Sequence, residues 1–281
     1  MRQIYIHIGT HKTGTTSIQS LLCRREARLQ RAGIYVPKTG RPFPNSAGHH
    51  NIGWMLRGDD RKNPTLGGIQ ELARELAACP FQKAVISDED LQFLVIEPEL
   101  IRKLEDTLQD AGWKPHYILF LRDPVSYSIS FYNEALKIQP DLCFYHFIEM
   151  ILQQGYFQRK DRNFIYFDYE TFLSRWQAMS HADIGVYSYN AASSGAGVME
   201  TFISAIGIPD AHKVTQEART PRQMWAQVIA RLKVEKKPPL PKTLRLNHSQ
   251  KPVTEDMLLH AAKVGTAYHP AFERMTAHCE K

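Results

Sequence analysis

Residues 9–16, which read GTHKTGTT, have the composition of an anion-binding loop. They follow a run in which apolar and polar residues alternate, and they precede an amphipathic segment, so they join a predicted strand to a predicted helix. At such a junction several backbone N–H groups lack an intrahelical partner, and the helix dipole adds partial positive charge. Lys12 supplies a full positive charge, and Thr15 and Thr16 supply hydroxyl donors. The loop therefore suits a phosphate or a sulfate.

This loop differs from the phosphate-binding loop of nucleotide kinases, which follows the pattern GxxxxGK[ST]. Thr15 follows Gly14 here, and Lys12 lies inside the loop. No DxD or DxxG element after an apolar strand offers a carboxylate for magnesium. The loop thus favours one terminal phosphate over a triphosphate with magnesium. The alternative interpretation is a capped helix with a basic residue in its preceding loop.

A second candidate anion site combines Arg122 with Ser130, eight residues later. Arg122 follows the apolar run YILFL, and Pro124 stands where a helix would begin. Open α/β sheets bind ligands at the carboxyl ends of their strands, and a guanidinium can hold a phosphate through two hydrogen bonds. In the alternative interpretation Asp123 pairs with Arg122, and Ser130 faces solvent.

Alternating strands and helices are predicted around these motifs. Strands are expected at 4–8, 34–36, 84–87, 117–121, 164–167 and 184–189, and helices at 15–33, 66–78, 98–111 and 124–137. Strands separated by helices indicate βαβ units and a parallel sheet. The 281 residues are interpreted as a single domain, with helical elaboration at about 210–281.

Composition limits the classes of protein that fit. The net charge of +6 favours an anionic partner but is too small to indicate nucleic acid. The four cysteines are scattered without a CxxC pair, which argues against a zinc site or a disulfide framework. The amino terminus lacks the pattern of a signal peptide, and no apolar stretch is long enough to cross a bilayer. We therefore expect a cytoplasmic protein without an integral membrane segment.

The two motifs together resemble the sulfotransferases that use 3′-phosphoadenosine 5′-phosphosulfate, in particular the bacterial, carbohydrate-type members. The loop HIGTHKTGTT is similar to the family's 5′-phosphosulfate loop, and Arg122 with Ser130 resembles its 3′-phosphate motif. The run FIYFDYE at 164–170 and the run RLNHS at 245–249 are also similar to family patterns. The RKGxxGxW loop of cytosolic members is missing.

The resemblance implies a P-loop-like, three-layer α/β fold whose central parallel sheet is flanked by helices. It also implies a transferase that moves the sulfuryl group to a hydroxyl or amine and leaves adenosine 3′,5′-bisphosphate, without a metal. Lys12 would stabilise charge on the bridging oxygen, a demand that sulfuryl transfer shares with phosphoryl transfer. The implied cofactor-binding residues are His11, Lys12, Thr13, Gly14, Thr15, Thr16, Arg122 and Ser130.

Three residues remain candidates for the base that takes the acceptor proton. Glu89 follows the third predicted strand, roughly where cytosolic members have a catalytic histidine, although Asp88 or Glu89 could instead cap a helix. His49 and His50 are the rival candidates, since histidine transfers protons near neutral pH.

The acceptor is expected to be a glycan, a glycolipid or a small alcohol. Trp54, Trp113, Trp176 and Trp225 could stack on sugar rings, although tryptophans are more often found in cores. Two other functions remain open: a nucleotide or small-molecule kinase, and a module that binds a nucleotide or glycan without catalysis. The sequence does not determine the oligomeric state.

Overall fold

A sheet of five parallel strands forms the centre of the described part of the protein. The computed structural model describes residues 2–159, 163–194, 197–209, 211–215 and 255–277. The sheet contains β1 (Arg2–His7), β2 (Ile34–Tyr35), β3 (Lys83–Ser87), β4 (Trp113–Leu121) and β7 (Asp183–Ser188) in the order β2-β3-β1-β4-β7. A separate antiparallel pair consists of β5 (Tyr156–Gln158) and β6 (Phe164–Tyr166).

The central strands are apolar on both faces because helices cover both sides of the sheet. In β4, Tyr117 and Leu119 pack into one core, and Ile118 and Phe120 pack into the other. All four side chains are fully buried. This continuous burial explains the apolar run YILFL, which is typical of an interior parallel strand.

The helices form the two outer layers. Their bounds are α1 (Thr15–Arg24), α2 (Glu26–Arg31), α3 (His50–Arg57), α4 (Ile69–Ala78), α5 (Pro98–Asp110), α6 (Pro124–Ala135), α7 (Phe144–Gln154), α8 (Tyr169–Met179), α9 (Tyr189–Ser194), α10 (Val198–Ala205), α11 (Ala211–Thr215) and α12 (Glu255–Thr276). Two 3₁₀ helices span Pro64–Leu66 and Glu89–Ile96. Helices α1, α2, α10 and α11 cover one face, and α4 to α8 with α12 cover the other. The predicted three-layer α/β fold with a parallel sheet is therefore confirmed.

Several predicted elements differ in detail. The helix expected at 15–33 is two helices, because Arg25 has φ −106° and ψ 13°, outside the helical region. The strand expected at 164–167 forms as β6, but it pairs antiparallel with β5 instead of joining the sheet. Gly155, with φ 79°, turns the chain out of α7 directly into β5. Neither α7 nor α8 was predicted.

The carboxyl-terminal elaboration expected at about 210–281 is described only in part. Residues 211–215 form α11, and α12 packs against α6, α7 and α8. The rest of that range, including the run at 245–249, lies outside the described residues. No helix in the described ranges has the length and apolar character that a bilayer span requires.

Candidate functional site

The carboxyl ends of β3, β1 and β4 lie side by side at one edge of the sheet. His7 at the end of β1 is in register with Ser87 of β3 and with Ile118 of β4. The segments that follow these strands are the loop at residues 9–16, the acidic run that begins at Asp88, and Arg122. The topology therefore brings the predicted site residues to one edge, where α/β sheets place ligands.

The loop after β1 presents a row of unpaired backbone donors. Gly9, Lys12 and Gly14 have positive φ angles of 101°, 62° and 81°, so the backbone turns tightly before α1 begins. Gly9 also accepts a hydrogen bond from Phe120 N at 2.9 Å, which ties the loop to β4. The N–H groups of residues 12–16 have no hydrogen-bond acceptor among the described residues. Five consecutive donors at the start of a ten-residue helix form an anion cradle.

Three of the four threonines in the loop, Thr13, Thr15 and Thr16, have different roles. Thr13 is buried and donates its hydroxyl to Thr10 O at 2.5 Å, so only its N–H remains for a ligand. Thr15 Oγ1 lies 3.5 Å from Glu89 Oε1. Thr16 is exposed. The hydroxyls that face outward are therefore fewer than the loop composition alone suggests.

Lys12 and Arg122 are direct neighbours. The Nη1 atom of Arg122 donates to the carbonyl of Lys12 at 3.1 Å. The Nζ atom of Lys12 lies 3.3 Å from Glu134 Oε2, in α6. The guanidinium of the second motif thus contacts the loop that carries the lysine of the first motif, at the same edge of the sheet.

One face of α6 carries side chains that contact both cations. Ser126, Ser130 and Glu134 are four residues apart, so they share a face that extends about 12 Å along the helix axis. Arg122 Nε donates to Ser126 Oγ at 3.2 Å. Ser130, the predicted partner of Arg122, lies one turn further on, is partly exposed, and has no hydrogen bond through its hydroxyl among the described residues.

Asp123 does not pair with Arg122. Its Oδ1 accepts from Ser126 N at 2.9 Å and caps α6, and its Oδ2 lies 3.0 Å from His269 Nδ1 of α12. The alternative interpretation, in which Asp123 neutralises Arg122, is therefore wrong. Arg122 keeps its positive charge available for a ligand.

Glu89 lies at the edge of the anion cradle. Gln19 Nε2 donates to Glu89 Oε2 at 2.5 Å. A Cβ on Gly9 would approach Glu89 Cβ to 3.3 Å, so the glycine allows the loop to pack against this residue. Asp88, not Glu89, caps the 3₁₀ helix, because its Oδ1 accepts from Asp90 N at 3.0 Å. The Glu89 carboxylate is consequently free of a capping role.

His50 forms an ion pair with the fully buried Asp88. Its Nδ1 lies 3.3 Å from Asp88 Oδ1 and 3.8 Å from Glu89 Oε2. Burial opposes a charge on His50, but the hydrogen bond and negative charge of Asp88, with Glu89 and Asp90, outweigh it and raise the pKa of His50 to about 9. Burial also raises the pKa of the Asp88 carboxyl. At neutral pH His50 is therefore protonated, which does not suit a general base.

His49 and His11 both contact neighbouring protein groups. His49 Nδ1 accepts from Ser87 N at 3.2 Å, and Nε2 lies 3.0 Å from Pro37 O, so both ring nitrogens are occupied. Burial lowers the pKa of His49 to about 3. The ring of His11 packs against Phe93, and its Nε2 lies 3.7 Å from Asp90 Oδ1. Its burial lowers the pKa of His11.

His50, Asp88 and Asp90 come close enough together to suggest a metal site, since one ligand atom of each lies within 4.8 Å of the others. Both carboxylates also accept hydrogen bonds within the protein. Asp88 Oδ2 accepts from Gly53 N at 3.0 Å, and Asp90 Oδ2 accepts from Trp54 Nε1 at 2.6 Å. A metal at this position would have to displace the proton that the raised pKa of His50 favours. These residues fit an internal ion-pair network better than a metal.

The tryptophans within the described residues belong to the interior. Trp113 and Trp176 are fully buried, and Trp54 is 9% exposed. None of these three rings offers a free face for a sugar. Trp225 lies outside the described residues.

Sequence analysis missed three residues of the site: Ser126, Glu134 and Gln19. Ser126 and Glu134 could have been found from their spacing of four residues on either side of Ser130 in a predicted helix. No sequence signal indicated that Gln19 would contact Glu89, which is 70 residues away along the chain.

Comparison with known proteins leaves the family open. No family model matches the chain, and no curated protein matches it. Among solved structures, the chain is similar to a crystal structure of a sulfotransferase from Alicyclobacillus acidocaldarius, with 16% identity and a TM-score of 0.42. The alignment covers 85% of this chain and 98% of that one. A likeness this low establishes neither a family nor an activity for this chain.

Proposed function

We propose that the protein is a sulfotransferase that uses 3′-phosphoadenosine 5′-phosphosulfate as its donor. The observation that carries this proposal is the hydrogen bond from Arg122 to the Lys12 carbonyl, 3.1 Å long. It joins two anion-binding elements from neighbouring strands into one site. A nucleotide with phosphates on both its 3′ and 5′ positions matches two such elements at a short separation.

The 5′ end of the donor would bind at the loop after β1. Its phosphate accepts hydrogen bonds from the free N–H groups of residues 12–16 and from the exposed hydroxyl of Thr16. His11, Thr13, Gly14 and Thr15 contribute to this subsite through the backbone conformation of the loop. The side chain of Lys12 supplies a full positive charge, whereas the backbone N–H groups of the loop supply only partial charges.

The 3′-phosphate would bind to Arg122. The guanidinium uses one donor on Ser126 and one on the Lys12 carbonyl, which leaves three of its five N–H donors without a partner among the described residues. Those three suffice for a bidentate contact with a phosphate. Ser130 lies on the same face of α6 as Ser126 and offers its hydroxyl to an oxygen of the phosphate that Arg122 does not contact.

The chemistry assigned to this chain's residues is acid–base and electrostatic. The bond between sulfur and the bridging 5′-phosphate oxygen breaks as the bond from sulfur to the acceptor oxygen or nitrogen forms. Lys12 stabilises the negative charge that develops on the bridging oxygen. Glu89 accepts the proton that the acceptor loses. No step in this scheme requires a metal ion.

The acceptor is proposed to carry a hydroxyl or an amine, and glycans, glycolipids and small alcohols remain the classes to test. The described tryptophans do not support sugar stacking, because their rings are buried. Acceptor identity depends on the pocket beyond the 5′ subsite, which the fold by itself does not determine.

A transfer assay tests the proposed function. The protein is incubated with donor carrying radiolabelled sulfate and with a panel of glycans, glycolipids and small alcohols, and labelled product is separated from donor. We expect metal-independent labelling of at least one acceptor class. Binding of adenosine 3′,5′-bisphosphate without turnover on any acceptor would favour a binding module. Transfer of phosphate from ATP with magnesium would favour a kinase.

A further inference from the structure

Tyr189 lies beside Arg122 because β7 pairs with β4. In that parallel pairing Leu121 is in register with Ser188, so the residue after each strand comes to the same edge of the sheet. Tyr189 is the first residue of α9, which follows β7 without a loop. Asp123 follows Arg122, and Asn190 follows Tyr189. The N–H of Asp123 donates to Oδ1 of Asn190 at 2.8 Å, and this hydrogen bond holds the segment after β4 against the start of α9.

The ring of Tyr189 lies against the guanidinium of Arg122. The Cζ atom of Arg122 is 5.2 Å from the ring centroid, within the range of a cation–π contact. The edge of the same ring borders the anion cradle, since a Cβ placed on Gly14 would lie 3.5 Å from Tyr189 Cε2. Tyr189 therefore lies beside both parts of the proposed nucleotide site.

Arg122 is held from several directions. Its Nε and Nη1 atoms donate to Ser126 and to the Lys12 carbonyl, and its own carbonyl accepts from Tyr169 OH at 2.7 Å. These contacts hold the backbone and two of the five N–H donors of the guanidinium. The other three donors have no partner among the described residues. The ring of Tyr189 adds a further contact that restricts how the guanidinium can turn.

We propose that Tyr189 is a positioning residue that orients Arg122 for a 3′-phosphate, an inference that rests on the proposed function. The face of the aromatic ring attracts the cation and sets its plane, so that the free N–H donors point to one place. The hydroxyl of Tyr189 has no hydrogen bond within the described residues, and the proposed role does not require one. The ring, not the hydroxyl, performs the function.

Binding measurements with two nucleotides test this role. Dissociation constants of adenosine 3′,5′-bisphosphate and adenosine 5′-phosphate are measured by calorimetry for the wild type, Tyr189→Phe, Tyr189→Leu and Tyr189→Met. The quantity of interest is the ratio of the two constants, because only the bisphosphate has the 3′ group. Ser193→Ala, an exposed substitution in the same helix, is the matched control.

We expect Tyr189→Leu and Tyr189→Met to reduce the preference for the bisphosphate by about three- to tenfold, the size of one cation–π contact. Tyr189→Phe and Ser193→Ala should keep the wild-type ratio. If Tyr189 had a merely structural role, Tyr189→Leu would weaken the binding of both nucleotides equally, and that result would overturn the proposal. The proposal would also be overturned if Tyr189→Phe reduced the preference for the bisphosphate as much as Tyr189→Leu does. A wild type without preference for the bisphosphate would overturn the proposed 3′-phosphate site itself.

Discussion

At the scale of single residues, Lys12 links the two motifs. Its positive φ angle of 62° is unusual for a residue with a Cβ, and it turns the following N–H groups outward. Its carbonyl receives Arg122, and its ammonium group reaches Glu134. Backbone and side chain of one residue thus contribute to both ends of the proposed site.

Replacement of Lys12 by alanine should lower the rate of sulfate transfer by about 10²–10³-fold, the usual effect of removing one group that stabilises charge in the transition state. Binding of the bisphosphate should fall less, because the backbone donors of the loop remain. Lys137→Ala is the matched control, since Lys137 pairs with the same Glu134 from an exposed position. Transfer rates and thermal melting of both variants are the measurements. Full activity in Lys12→Ala would show that its assigned role is wrong.

Glu89→Gln separates catalysis from binding. The amide keeps the size of the side chain but cannot accept the acceptor proton at neutral pH, so turnover should fall by about 10²–10⁴-fold. Binding of adenosine 3′,5′-bisphosphate should persist, because the amide also removes a negative charge next to the cradle. Steady-state kinetics and calorimetry check both parts. Unchanged turnover would remove Glu89 as the base.

At the scale of elements, a buried ion pair between His50 and Asp88 connects α3 to the segment that follows β3. His50 belongs to α3, and Asp88 precedes the 3₁₀ helix Glu89–Ile96. Asp88 also accepts from Gly53 N, so one carboxylate receives both a side chain and a backbone group of the same helix. Because Glu89 directly follows Asp88, this ion pair also helps to hold Glu89 beside the loop at residues 9–16.

The stability of the protein should depend on pH through this pair. The pKa of His50 is about 9 in the folded protein, above the value of about 6.5 in an unfolded chain. Its stabilising contribution is therefore complete below pH 6.5 and is lost as the pH rises towards 9. We expect the free energy of unfolding to fall by about 2–3 kcal/mol across this interval.

Denaturant titrations at several pH values measure this dependence. His50→Gln should remove most of the slope between pH 6.5 and 9, although the variant is also less stable overall because Asp88 loses its partner. His181→Gln, at an exposed position, should keep the wild-type slope. An equal slope in wild type and His50→Gln would contradict the assignment of a charged His50.

The strands that carry the site were predictable from the sequence, whereas several of their neighbours were not. Alternation in β1 and the apolar run in β4 are local patterns, and local patterns are what a single sequence displays. The hairpin of β5 and β6 consists of two three-residue strands, which are too short to indicate their partner. Their pairing also involves tertiary contacts that a local pattern does not display, such as the hydrogen bond from Phe167 N to Gly155 O at 2.8 Å.

The proposed site was likewise predictable only in its most local parts. The loop at residues 9–16 and Arg122 were recognised from type and spacing and lie together as expected. The contact of Arg122 with Ser126 was not expected, because an arginine reaches several turns of a helix and the sequence does not select among them. Tyr189 could be placed only after the register of β4 and β7 was known.

At the scale of the whole molecule, the strand order explains why the two candidate anion-binding elements come to the same edge of the sheet. β1 lies between β3 and β4, so the loop that follows it has the acidic run on one side and Arg122 on the other. β7 continues the sheet beyond β4 and brings Tyr189 to the same edge. The fold thereby places the candidate base, the cradle and the second cation in a row.

Calorimetric titration of the wild type with adenosine 3′,5′-bisphosphate, and separately with ATP and magnesium, tests the central claim most directly. The account predicts that the bisphosphate binds without metal and more tightly than adenosine 5′-phosphate, and that Arg122→Ala removes this preference. Tight, magnesium-dependent binding of ATP with no response to the bisphosphate would contradict it.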